Sequence, residues 1–183
     1  MTETRSRPAG GRHQVLQVRA RPGQRSLGTV QLGRLVFPCA LGRGGITRRK
    51  REGDGATPAG RFEVLDVYFR ADRGRRPKTG LPVAALHPDD GWCDEPDHPR
   101  YNRPVPLPFS ASHETMWRQD RLYDIVVVLD CNLTPPVRGR GSAIFFHIAR
   151  EDWRPTLGCV AVSPQHMRQI LAQLRLGAVM EIL

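Results

Sequence analysis

The chain has 183 residues, 39% hydrophobic and 25% charged, with 28 Lys and Arg against 18 Asp and Glu, a formal net charge of +10. That length suits one domain with a sizeable core, and no apolar run approaches the ~20 residues of a membrane-spanning helix. The basic excess favours an anionic partner, whether nucleic acid, membrane surface or carboxylate-rich polymer, without choosing among them.

In chain order, residues 1–11 read as a polar, basic tail, with no apolar stretch like the core of a secretory signal. Segments 14–18, 28–32 and 34–40 are short, β-rich and separated by Pro-Gly or Gly, the pattern of a meander. Arg48-Arg49-Lys50-Arg51 lies near glycine and aspartate and reads as a solvated loop. Segment 61–69 alternates Phe62 and Val64 and then, after a phase change, Val67 and Phe69, which predicts a strand. Arg70, Arg73, Arg75 and Arg76 form a second basic cluster, again placed in a solvated loop.

The Pro-, Gly-, Asp- and Arg-rich stretch that follows predicts a loop-rich insertion around 73–110. A short helix is expected to start at Ser112 and include Met116 and Trp117. Segment 123–129, with Ile125-Val126-Val127-Val128, is apolar on both faces and predicts a central strand. Segments 142–148 and 159–162 predict two more. Ser163-Pro164, then Met167, Ile170, Leu171 and Leu174, then Gly177 as a stop, predict a helix. Residues 179–183 are expected to return as a strand. The fold class is therefore mainly β: a single domain over 12–183 of twisted, packed sheets with one or two helices.

The four cysteines, Cys39, Cys93, Cys131 and Cys159, form no Cys-x-x-Cys pair. Cys39 and Cys131 sit in or beside apolar segments and read as core. Cys93 with His98 is the one weak zinc-type spacing.

The most informative stretch runs from Phe145-Phe146-His147-Ile148 to Gly158-Cys159-Val160-Ala161-Val162. A histidine ends one apolar strand, and a cysteine after a glycine starts another. Neighbouring strands joined by such a connection can bring an imidazole to a thiol, which is weakly nucleophilic until a base or a positive field makes the thiolate. The competing interpretation, a core cysteine and a satisfied core histidine, is equally open on these residues alone.

Two segments together resemble the YkuD-type L,D-transpeptidase domain over nearly all of the chain: Gly53-Asp54-Gly55-Ala56-Thr57-Pro58-Ala59-Gly60-Arg61-Phe62 and His147…Thr156-Leu157-Gly158-Cys159. Tyr101-Asn102-Arg103-Pro104-Val105, Ser112-His113-Glu114 and Leu122-Tyr123-Asp124 resemble a short bacterial subgroup. The resemblance implies Cys159 as nucleophile, His147 as base, the Ile148 backbone carbonyl as the group that orients the imidazole, and the Gly158 and Cys159 amides as oxyanion donors. Thr156 matches the family's Ser/Thr. Leu157 replaces a common second histidine, and Ala161 stands where many members carry Asn or Arg.

Arg150 and Arg154 are candidates for holding a substrate carboxylate, and Tyr101, Asn102, Arg103 and His113 for lining the cleft. The implied partner is a peptidoglycan stem peptide, cleaved through a thioester with release of D-alanine and transfer to an amine, and the resemblance implies no metal and no organic cofactor. Water as acceptor would make an L,D-carboxypeptidase. A basic nucleic-acid-binding module and an inactive envelope-binding domain are less favoured readings; nucleic acid is not the expected partner. The implied chemistry belongs to the cell envelope or periplasm, although no signal peptide is visible, and a monomer is expected.

Overall fold

The computed structural model describes residues 14–183; the tail assigned to 1–11 lies outside them. The fold opens with a three-stranded antiparallel meander, β1 (Val15–Arg21), β2 (Gln24–Leu32) and β3 (Leu35–Ala40). Two short parallel strands, β4 (Ile46–Thr47) and β5 (Thr57–Pro58), lead into the long β6 (Gly60–Phe69). The segment around 73–110 contains β7 (Val83–Ala85), β8 (Asp90–Cys93) and β9 (Arg103–Pro106) among its loops. β10 (His113–Thr115), β11 (Ile125–Leu129), β12 (Phe145–Ile148) and β13 (Val160–Val162) follow, then α1 (Pro164–Leu171) and β14 (Val179–Ile182).

The main sheet runs β11-β12-β13-β3-β2-β1-β14-β6-β7, and a further pairing of β11 with β6 closes it into an eight-stranded ring with β7 branching outside. The phase change in β6 is a bulge: Val127 faces Val67 but Leu129 faces Val64, so β6 carries one extra residue. The thinnest seam joins β13 to β3 through the single pair Ala161↔Ala40.

Alternation decides what fills the ring. Leu16, Val18, Val30, Val64, Val67, Ile125, Val127, Leu129, Phe146 and Val160 point inward to one core. α1 adds Met167, Ile170 and Leu171, all fully buried, each worth ~1.5–3 kcal/mol of apolar burial. Its N-cap is Ser163, whose Oγ accepts from the His166 amide at 3.3 Å, and Leu174 stays in the core just past the helix end.

β11 is buried on both faces for a specific reason. Val126 and Val128 point outward into a second cluster with Met116, Tyr123, Phe145, Cys159 and Trp92, the last from β8 of the small sheet β10-β8-β9.

Three expectations are corrected. The stretch expected to be helical around Met116 and Trp117 begins as a strand instead: His113, Glu114 and Thr115 pair with Cys93, Trp92 and Gly91, and that ladder overrides local propensity. Arg70 is not a solvated loop residue but 3% exposed, stacked 3.5 Å over Trp117 and bonded to both Asp72 oxygens and the Arg118 carbonyl. Lys50 likewise is 8% exposed.

Candidate active site

Strands β12 and β13 run parallel, with Phe146 beside Val160 and His147 beside Ala161. Side chains alternate across a strand, so Phe146, Ile148, Val160 and Val162 enter the ring core while His147 and Cys159 share the outer face. Cys159 lies one residue before β13, and its Sγ accepts from the Phe145 amide at 3.3 Å. The two side chains are therefore diagonal neighbours on one face, and both line a cleft of about 420 Å³.

The imidazole is held in one tautomer. Nδ1 lies 2.8 Å from the carbonyl oxygen of Ile148, and a carbonyl only accepts. Nδ1 therefore carries the hydrogen and Nε2 is left as the proton acceptor. The ring is 4% exposed and meets Tyr123 edge-on at 5.3 Å between centroids. Burial pulls the His147 pKa down to about 4, so the ring is neutral at ordinary pH.

The thiol is 7% exposed, and burial pushes its pKa up to about 12. Its proton points to the Ala143 carbonyl, 3.3 Å from Sγ. In the unliganded protein the sulfur is thus a neutral thiol resting on the Ala143–Phe145 backbone.

The turn carrying Cys159 is built by Thr156. Its Oγ1 donates to the Cys159 carbonyl at 2.7 Å and accepts from the Gly158 amide at 3.1 Å. Its own backbone is clipped to Leu41 and Arg43 at 2.9 and 3.0 Å. Thr156 lines the cleft, yet its hydroxyl is already spent on the turn that carries Cys159. The Gly158 amide, assigned from the resemblance to an oxyanion, is likewise engaged here by Thr156. Gly158 has φ of +142°, and a Cβ there would lie 3.0 Å from the Ala56 carbonyl oxygen, so a side chain has neither the backbone nor the room.

The Gly53–Phe62 segment forms part of the opposite wall. Asp54 Oδ1 accepts from Lys50 Nζ at 2.5 Å and the Ala56 amide at 2.8 Å, and Oδ2 from the Arg51 amide at 2.8 Å. Thr57 Oγ1 accepts from the Gly42 amide at 2.8 Å. Gly53 and Gly55 face the cleft.

Arg150 and Arg154 line the cleft, bonded to Asp120 at 3.4 Å and Asp152 at 2.6 Å. Tyr101, Asn102, Arg103 and His113 are not among the lining residues. Tyr101 donates to Glu52, Arg103 pairs with Cys93 in the small sheet, and His113 sits in β10 with Nδ1 near the Ala111 carbonyl. Asn102, 1% exposed, organises the backbone beneath the thiol. Its Oδ1 accepts from Trp92 Nε1 at 2.9 Å and the Ala143 amide at 3.1 Å, and its Nδ2 donates to the Cys131 and Asn132 carbonyls.

Sequence reasoning missed Glu52, Ser142, Ala143 and Arg118 on the cleft wall. Glu114 and Tyr123 fall within segments that resemble the subgroup, but nothing in their spacing foretold that Tyr123 stacks on His147 or that Glu114 pairs with Arg118 at 2.6 Å. Leu157, in place of a common histidine, is 72% exposed at the cleft mouth. Among the described residues, no group of three or more His, Cys, Asp or Glu is placed to hold a metal ion.

A closed β ring with a cysteine and a tautomer-fixed histidine on one outer face, at the foot of a cleft, defines a candidate acyl-transfer site. The chain belongs to the YkuD family, the L,D-transpeptidase catalytic domain, which matches residues 16–182. Comparison with curated proteins and with solved structures found no significant match in either.

Proposed function

We propose that the protein is a cysteine-dependent L,D-transpeptidase acting on peptidoglycan stem peptides. The observation that carries this reading is the pairing of Cys159 and His147 on one face of one cleft, with Nδ1 bonded to the Ile148 carbonyl so that Nε2 is free to take a proton.

Sγ attacks the carbonyl at the L-centre of the diamino acid in a tetrapeptide stem as its proton passes to Nε2. The carbon–nitrogen bond to the terminal D-alanine then breaks, the amine leaves with the proton from Nε2, and a thioester remains. The side-chain amine of a second stem attacks the thioester and gives up a proton to Nε2. Sγ departs and is reprotonated, leaving the new amide cross-link. The Cys159 amide carries the oxyanion in this scheme, and the Gly158 amide joins it only if it exchanges Thr156 Oγ1 for the oxyanion. Arg150 and Arg154 supply positive charge for the carboxylates of the stem.

Intact-mass measurement after incubation with purified disaccharide tetrapeptide tests this scheme. The expected result is an acyl adduct on Cys159, absent in Cys159→Ala and slow to form in His147→Ala, with cross-linked dimer as product. Tripeptide without dimer would assign the hydrolytic reaction instead, and a folded protein that forms no adduct would remove the enzymatic role.

A further inference from the structure

Lys50 occupies a place that a surface lysine would not. Its side chain is 9% exposed and passes over Gly141, where a Cβ would meet Lys50 Cε at 2.8 Å and Cγ at 2.9 Å. Its ammonium ends on Asp54 Oδ1 at 2.5 Å, and a Cβ at Gly158 would stand 3.4 Å from Nζ. The charge thus abuts the residue just before the nucleophile, and neither Lys50 nor Gly158 lines the cleft. Burying an ammonium gains little over burying an apolar chain of the same length, even when it is paired. What the ammonium adds is a fixed positive charge behind Gly158.

We propose that Lys50 is a positioning residue for Cys159: held by Asp54, its ammonium braces Gly158 and places positive charge behind the sulfur as its proton leaves. This rests on the use of Cys159 as the nucleophile. The other titratable groups acting on the thiol are Glu114, Tyr123 and Cys131, with His147 on the same face. None of these is a cation at neutral pH, since His147 is held neutral by burial. Arg118 is cationic but committed to Glu114 and Asp120, each at 2.6 Å. Lys50 itself faces Asp54 and acts on Cys131 as well as Cys159.

Charge and mere packing make opposite forecasts for two substitutions. The readout is the rate of iodoacetamide alkylation at Cys159 across a pH series, followed by mass mapping, with circular dichroism and unfolding midpoints as controls on the fold. Lys50→Met removes the charge and is expected to slow alkylation about tenfold at each pH, a displacement of about one pH unit, with Lys50→Arg recovering most of the rate. Asp54→Asn keeps the ammonium but deletes its counter-charge, so alkylation is expected to quicken severalfold. A packing role alone would move both variants in the same direction, and that result, or no change in either, overturns the proposal. If Lys50→Met does not fold, Asp54→Asn decides alone: faster alkylation supports the proposal, slower or unchanged alkylation refutes it. Alkylation needs no stem peptide, so a wild-type protein that forms no acyl adduct would sink the transpeptidase reading without confusing this measurement.

Discussion

The pH dependence of Cys159 reactivity tests the geometry most directly. Burial pushes the thiol up to about 12 and the His147 imidazole down to about 4, and desolvation is the largest cause for both. Passing the proton from Sγ to Nε2 before substrate arrives therefore crosses about eight pH units. At about 1.4 kcal/mol per pH unit, that sets an upper bound on the order of 10 kcal/mol, which the attraction between thiolate and imidazolium reduces. The resting pair is neutral, so in the proposed scheme proton transfer accompanies attack on the carbonyl.

Two reagents separate these cases. Iodoacetamide consumes preformed thiolate, so its rate at Cys159 is expected to climb about tenfold per pH unit from about pH 6 to 9 without levelling. In the proposed scheme, acylation by a tetrapeptide uses His147 as base while the bond forms, so its rate is expected to be flat over the same range. The basic form of His147 exists above its pKa and is lost as pH falls through it, which puts the acid limb of acylation near pH 4. An alkylation plateau centred near neutral pH would refute the reasoning, because it would require a thiolate–imidazolium pair in the free protein.

Other outcomes follow from the same contacts. Thr156→Val deletes the bonds to the Cys159 carbonyl and Gly158 amide, and should cost about 1–2 kcal/mol in urea unfolding and slow single-turnover acylation, whereas Thr156→Ser should stay near wild type. Asn102→Ala strands Trp92 Nε1, the Ala143 amide and two carbonyls, with an expected loss of about 3 kcal/mol. Asn102→Asp should not rescue it, because a carboxylate cannot donate to the Cys131 and Asn132 carbonyls. Acid should also destabilise the fold through His147: the unfolded ring protonates near 6.5 and the buried one near about 4. Its contribution is complete above pH 6.5 and is lost as pH falls to 4, about 3 kcal/mol in all, so His147→Gln should flatten the wild-type slope in that window.

Much of the strand pattern was legible because alternation is local. The meander of β1, β2 and β3, the phase change in β6 and the doubly apolar β11 could all be read from neighbouring residues. Closure of the ring could not, since it depends on β6 meeting β11 and β1 meeting β14 across most of the chain. The helix expected around Met116 failed for a related reason: three residues there found partners on Cys93, Trp92 and Gly91. One member of each basic cluster departed from the solvated-loop expectation, because burial of a cation is decided by its partners. Arg70 has Asp72 and the Trp117 face, Lys50 has Asp54, and only the folded chain reveals the shelter around them. At the site, His147 and Cys159 stood out because they sit on adjacent strands, and period-two alternation puts them on one side. Asn102 was singled out for the wrong surroundings; its four bonds tie the turn before β9 to β8 and to the loops after β11 and before β12.

The parallel pairing of β1 with β14, Val15 to Val179 through Val18 to Ile182, has a consequence for how this protein comes into being. Residues near the two ends of the described chain are bonded neighbours, so a nascent polypeptide lacking 179–182 would have open edges on β1 and β6 and no finished ring. Such distant contacts form late and slowly. Closure of the ring therefore arrives with the final strand, and a truncated product would be an aggregation hazard.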